Sequence, residues 1–138
     1  MEKKQVDLSS IDTVKGANEG FDVQLYHPGT NEDLGVTIQV LGKDSDEFQK
    51  ISRAQSKKRM ERMSKGGFRN PVVSPEEVEQ DNLNLLAAVS RGWNNVIVDG
   101  KPLPFSKENA LMLYERFPWI REQIDAAIGD RANFIKTW

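Results

Sequence analysis

The stretch Phe21–Val40, FDVQLYHPGTNEDLGVTIQV, decides the fold class. Phe21, Val23 and Leu25 alternate with Asp22, Gln24 and Tyr26. After HPGTNED, Leu34, Val36, Ile38 and Val40 alternate with Gly35, Thr37, Gln39 and Leu41. A period of two places alternate side chains on opposite faces of a strand, so each run has one face to bury. Pro, Gly, Asn and Asp between the runs mark a reversal, with a loop longer than the two-residue hairpin turns. The expectation is an N-terminal β-hairpin over 21–42. A lone hairpin is marginal in water, so it needs helices or further strands to pack against. Those strands are expected from the tail or from another copy of the chain.

Upstream, residues 1–20 have no aromatic residue, only scattered aliphatic ones, and Gly16 and Gly20 near the end. They are expected to form a flexible N-terminal tail. Downstream the period becomes helical. Asp44 with Glu47 three residues on is a capping start for a basic helix over 44–65. Its apolar edge is Phe48, Ile51 and Ala54, then only Met60 and Met63. Gly66-Gly67 ends it, and 68–73 (FRNPVV) is an extended linker. Ser74-Pro75 opens a second helix with Glu77 completing a capping box, and Val78, Leu85, Leu86 and Val89 share one face. Gly92 is expected to end that helix. Ser106 caps a third helix carrying Ala110, Leu113, Tyr114 and Phe117. Pro118 starts a fourth with Ile120, Ile124, Ala127 and Ile128, whose face Phe134 and Ile135 continue. The reading is a single α+β domain over 21–138: the hairpin, then about four α-helices, mainly helical, with the C-terminal part over 74–138.

Composition bounds the function. The chain has 138 residues, 29% of them charged, a net charge of −2 and no cysteine, so disulfides and thiolate metal sites are excluded. The start MEKKQVDLSS lacks the apolar run of a signal peptide, and no stretch reaches the ~20 apolar residues of a membrane span. A soluble intracellular protein with no membrane partner is expected. His27, the single histidine, stands in a turn beside Pro28. Asp44, Asp46 and Glu47 sit where helix capping explains them, and Gly66-Gly67 lacks the Lys-Ser/Thr of a phosphate loop. No catalytic residue, cofactor or metal ligand is expected, and the chain is read as a non-enzyme.

The strongest charge feature is central. Residues 48–72 carry Lys50, Arg53, Lys57, Lys58, Arg59, Arg62, Lys65 and Arg69 against Glu61 alone, a net of +7; residues 21–47 carry −5 and 73–90 carry −4. Three readings stay open. The segment binds nucleic acid over 50–69 by counterion release, docks on an acidic protein surface including that of another copy, or is a solvated helix face balanced by its neighbours. Only Phe48 and Phe68 flank the run, which is poor in the aromatics that stack bases. Nucleic acid is therefore the alternative rather than the first reading. Met60 and Met63 favour an adaptable protein contact.

The segment SRGWNNVIVDGKPLPFSKENALML (Ser90–Leu113) then separates the possibilities. It reads as a rigid connector between two helices. Gly92 stops one helix, Trp93 anchors the turn in the core, and Asp99-Gly100 reverses the chain. Pro102 and Pro104 keep it extended, and Ser106 starts the next helix. Gly92, Trp93, Asp99, Gly100, Pro104, Phe105, Ser106, Glu108, Asn109 and Ala110, followed by Pro118, Trp119, Ile120, Gln123 and Ile124, resemble the tail assembly chaperones of long-tailed bacteriophages, over roughly residues 80–138. The resemblance implies a non-enzymatic protein of the host bacterial cytoplasm, absent from the mature virion. It implies binding to the phage tape measure protein and recruitment of tail tube protein during polymerisation. Covering a long helical client reversibly calls for exposed apolar or Met-rich patches and self-association. The expected partner-binding residues are Lys57, Lys58, Arg59, Met60, Arg62, Met63, Trp119 and Trp138, with the hairpin edge as a further surface.

Overall fold

The computed structural model describes residues 5–66 and 74–135. The hairpin forms as its period requires. Strands β1 (Phe21–Tyr26) and β2 (Asp33–Val40) pair antiparallel, with Phe21 opposite Val40 and Val23 opposite Ile38. In the loop, His27 Nδ1 accepts from the backbone N–H groups of Gly29 and Thr30 at 3.0 and 3.1 Å. Gly35, at φ +69°, stands where the ladder register shifts, a backbone position that glycine occupies without strain. Val23, Leu25, Ile38 and Val40 are buried on one face, while Asp22, Gln24 and Gln39 meet solvent on the other.

The third strand comes from an unexpected place. Helix α3 (Pro75–Val89) does not stop at Gly92. It stops at Ser90, where the backbone turns extended, and runs directly into β3 (Ser90–Asn94). β3 pairs antiparallel with β2, Trp93 opposite Ile38 and Gly92 opposite Gln39, giving the order β1-β2-β3. Gly92 is thus a strand residue on the polar face and not a helix terminator. The helix end is held by Ser90, whose buried Oγ donates to the Leu86 carbonyl at 2.8 Å. The carbonyl takes that proton, so the 2.6 Å contact to Tyr114 has the phenol donating. Tyr114 is fully buried, and desolvation pushes its hydroxyl up to about 12.

The remaining connector is a small hairpin, β4 (Ile97–Val98) with β5 (Lys101–Pro102). Asp99 and Gly100, both at positive φ, make the tight reversal read from the sequence. Ser106 caps α4 (Lys107–Arg116), its Oγ accepting the Asn109 N–H at 3.0 Å. α5 (Pro118–Gly129) opens on Pro118, with Ile120, Ile124 and Ile128 buried. It ends at Gly129. Phe134 does not continue its face but enters the core from a 3-10 turn, Arg131–Phe134, edge-on to Phe21. One core joins the inner sheet face to α3, α4 and α5 through Leu83, Leu86, Val89, Leu113, Tyr114 and Ile124.

Of the expected N-terminal tail, residues 12–20 are built into this fold, and residues 1–4 lie outside the described residues. Asp12 caps α1 (Thr13–Glu19), its carboxylate accepting the Lys15 N–H at 2.9 Å. Gly16 and Ala17 are buried, and the Ala17 carbonyl accepts the Gly42 N–H. The backbone of Phe134 packs so closely on Gly16 that an added Cβ would lie 1.7 Å from its carbonyl oxygen. α1 thereby clamps the C-terminal turn over the entry to α2 (Asp46–Gly66). The cap of α2 is buried Ser45, whose Oγ accepts the Phe48 N–H at 3.2 Å, and not Asp44. Asp44 instead holds Arg131 through a two-bond ion pair at 2.6 and 3.0 Å. Among the described residues there are five α-helices, and the fold is mixed α+β, mainly helical, as expected. Among the described residues no helix is long and apolar enough to cross a membrane. Gly67, the 68–73 linker and Trp138 lie outside the described residues.

Candidate partner-binding surface

α2 has 21 residues, a length of about 31 Å at 1.5 Å per residue. Its first turns are fastened by half-buried Phe48, which packs on the core. Beyond Arg53 the attachment changes character. Gln55 Nε2 donates to the Asp81 carbonyl at 2.8 Å. Arg59 donates twice to the Asp81 carboxylate, at 2.8 and 3.2 Å. Arg62 grips both carboxylate oxygens of Glu77, one at 2.7 Å. The numbers rise along α2 and fall along α3, so the two helices run antiparallel. The Glu77 carboxyl lies below its ordinary range because the Arg62 guanidinium bonds it, and Arg62 is raised by the same contact.

This polar seam explains two features. Glu77 is turned towards Arg62 rather than back onto the Ser74 N–H, so the capping box is only half formed. Ser74 Oγ still accepts the Glu77 N–H at 3.2 Å. Second, the far half of α2 buries no residue among those described. Exposed ion pairs are screened by solvent and hold only weakly. The far half of α2 is therefore held lightly and presents most of its surface to solvent.

Opposite the seam, Lys50, Arg53, Lys57, Met60 and Ser64 follow one another at spacings of three and four. They form a straight ridge with Glu61 beside it. Met60 is 68% and Met63 50% exposed. Lys57 and Lys58 are exposed and, among the described residues, in no ion pair. The residues expected to bind partners thus divide. Lys57 and Met60 lie on this ridge, Met63 is exposed on its flank, and Lys58 lies towards α3, where its charge acts on Glu77. Arg59 and Arg62 are spent on α3. Trp119 is half-buried on α5, edge-on to Phe117 with ring centroids 6.5 Å apart, and belongs to the core margin instead of the ridge.

The connector residues act structurally. Trp93 Nε1 donates to the Leu103 carbonyl at 2.8 Å and its ring meets Phe105 edge-on at 5.0 Å. The Pro104 carbonyl accepts from the Asn109 amide at 2.8 Å. Asp99 pairs with Arg116 through two bonds of 2.7 and 2.8 Å. No family model, curated protein or solved structure matches the chain.

The pairing of the basic helix with the acids of α3 is one of the three readings left open, on the +7 run followed by a −4 run. Another arrangement had no signal in the sequence: the Gln123 side-chain amide bonds both the N–H and the carbonyl of Tyr26, at 2.9 and 2.8 Å. It closes the outer edge of β1 at that residue as a neighbouring strand would.

Proposed function

We propose that this chain is a tail assembly chaperone of a long-tailed bacteriophage. It binds the tape measure protein in the host cytoplasm and helps recruit tail tube subunits, and it is absent from the finished virion. The observation that carries the reading is the far half of α2. Two exposed methionines stand there near Lys57, which is in no ion pair among the described residues, on a half-helix whose described bonds to α3 are polar. Thioether side chains are unbranched and polarizable, so one such surface fits many irregular apolar helices. Lysines around them speed encounter with acidic clients and keep the exposed patch soluble. The resemblance of residues 80–138 supports the same role. Co-expression tests it. The tape measure protein from the same phage is expected to turn soluble with this chain. A tape measure that stays insoluble with it, yet is rescued by a different protein of that phage, overturns the reading.

A further inference from the structure

β1 is an edge strand with β2 as its only neighbour in the sheet. Tyr26 turns its N–H and its carbonyl outward to the Gln123 side chain, while the His27 N–H turns inward to the Glu32 carbonyl. Successive strand residues alternate in this respect. Phe21, Val23 and Leu25 therefore face β2, and the backbone groups of Asp22 and Gln24 point outward like those of Tyr26. Among the described residues nothing bonds those outward groups of Asp22 and Gln24. α5 passes this edge in the opposite direction, since Gln123 meets Tyr26 and Phe134, beyond the helix end, meets Phe21. One turn on from Gln123, Ala126 is exposed and Ala127 half-buried, so beside Gln24 the helix carries only methyl groups. Asp22 and Glu122 are exposed and in no ion pair among the described residues.

We propose that the outer edge of β1 takes up an extended, lysine-bearing segment of a partner protein as an added antiparallel strand. Asp22 and Gln24 then each exchange N–H and carbonyl bonds with the residue opposite. Opposed side chains lie on one face, about 4.5–5.5 Å apart, so a lysine falls beside the Asp22 carboxylate. The residue between turns to the other face, towards Ala126 and Ala127, where a β-branched apolar side chain such as valine fits the pleat. The added strand stops at Tyr26. There Gln123 already supplies the amide N–H and carbonyl of a neighbouring peptide group, so the fold pairs one edge residue this way itself. A nucleic-acid strand has no backbone N–H for the outward carbonyls, and Asp22 and Glu122 repel it. An acidic segment meets the same repulsion.

Titrating the full chain with the blocked peptide Lys-Val-Lys-Val-Lys, followed by amide NMR, tests it. The Asp22 and Gln24 amide signals are expected to shift and saturate. In this addition the lysine N–H groups point at β1 and the valine N–H groups away. Methylating the lysine nitrogens should weaken binding at least about tenfold, and methylating the valine nitrogens should not. On the chain, Gln24→Pro removes an outward N–H without touching a bond to β2, which edge strands tolerate. It should weaken binding about fivefold. Asp22→Lys should lose the lysine peptide and prefer its glutamate counterpart, Glu-Val-Glu-Val-Glu. Where circular dichroism shows Gln24→Pro unfolded, the two methylated peptides on wild type carry the test. Absent shifts at Asp22 and Gln24, equal binding of the two methylated peptides, or a folded Gln24→Pro that binds like wild type overturns the proposal. So does a chain that sediments as a dimer and takes up no peptide. Neither α2 nor the tape measure protein enters these measurements, so a failed chaperone assay and a failed peptide titration are separate outcomes.

Discussion

Gly16→Ala pits local propensity against packing. In the interior of a helix, alanine is favoured over glycine by about 1 kcal/mol, so α1 alone predicts stabilisation. The surroundings predict the reverse. The new methyl would lie 1.7 Å from the Phe134 carbonyl oxygen and 2.8 Å from its carbon. Both are backbone atoms, so no side-chain rotation relieves the clash. Either α1 lifts, exposing buried Ala17, or the Arg131–Phe134 turn moves, withdrawing the Phe134 ring from Phe21. Overpacking costs about 1–3 kcal/mol, and losing a buried phenylalanine about 3–5. The expected loss is about 3–4 kcal/mol, since either relaxation sacrifices only part of these contacts. At this chain length that lowers Tm by roughly 10–15 °C. Denaturant titration and thermal melting followed by circular dichroism measure it. Gly129→Ala, with open space around the site, is the matched control, expected to be neutral or stabilising by up to about 1 kcal/mol. If Gly16→Ala is neutral or stabilising, α1 does not clamp the C-terminal turn and the docked N-terminus is wrong.

Other expectations concern the interior and its charges. Ser90→Ala should cost about 1–3 kcal/mol because it leaves the fully buried Tyr114 hydroxyl without its acceptor. Tyr114→Phe should cost less, since Ser90 keeps its bond to the Leu86 carbonyl. A double-mutant cycle should show the two changes strongly non-additive. The Asp44 carboxyl is held below its ordinary 3.8 first by its hydrogen bond to Arg131. Its contribution to stability is therefore complete above the ordinary carboxylate range and lost as pH falls through the lower folded value. Wild type should exceed Asp44→Asn in denaturation midpoint at neutral pH, with the gap closing in strong acid. A gap that widens on acidification would contradict the ion pair's role. Trp93→Phe should cost about 1 kcal/mol through the lost bond to Leu103, read as a shift in midpoint without a change in slope.

How far the fold could be read depended on how strongly each residue type commits its backbone. Ser74 and Ser106 each supply a side-chain acceptor, Ser74 with a φ pre-set by Pro75 after it, and both starts are where the sequence places them. Asp99-Gly100 is equally committed, because two successive positive φ values suit few other pairs. Period two gave β1 and β2 directly. Failures occurred where several residues could serve. Asp44, Ser45 and Asp46 are all good caps, and the choice of Ser45 is tertiary: Arg131 claims Asp44 and Asn18 bonds Asp46. Gly92 reads as a helix stop, yet it pairs in a strand because β2 offers an open edge. α1 is short, holds a glycine and has no aromatic residue. It exists because Phe134, more than 110 residues away, packs on that glycine. At the candidate surface, exposure of Met60 and Met63 followed from a weak apolar edge. The division of the arginines from the lysines did not, because it depends on which side of α2 meets α3.

Under the proposed function the far half of α2 grips a tape measure protein, and a binding isotherm measures that grip. A helical tape measure fragment from the same phage is titrated with wild type and with the Met60→Ser/Met63→Ser variant. Both positions are exposed, so the variant should fold with an unchanged melting curve. Burying a methionine contributes about 1.5–3 kcal/mol and tenfold in Kd is about 1.4 kcal/mol, so the variant should bind at least tenfold more weakly. Equal affinity for the two proteins, with wild type binding the fragment, would contradict the account, as would a wild type that does not bind the fragment.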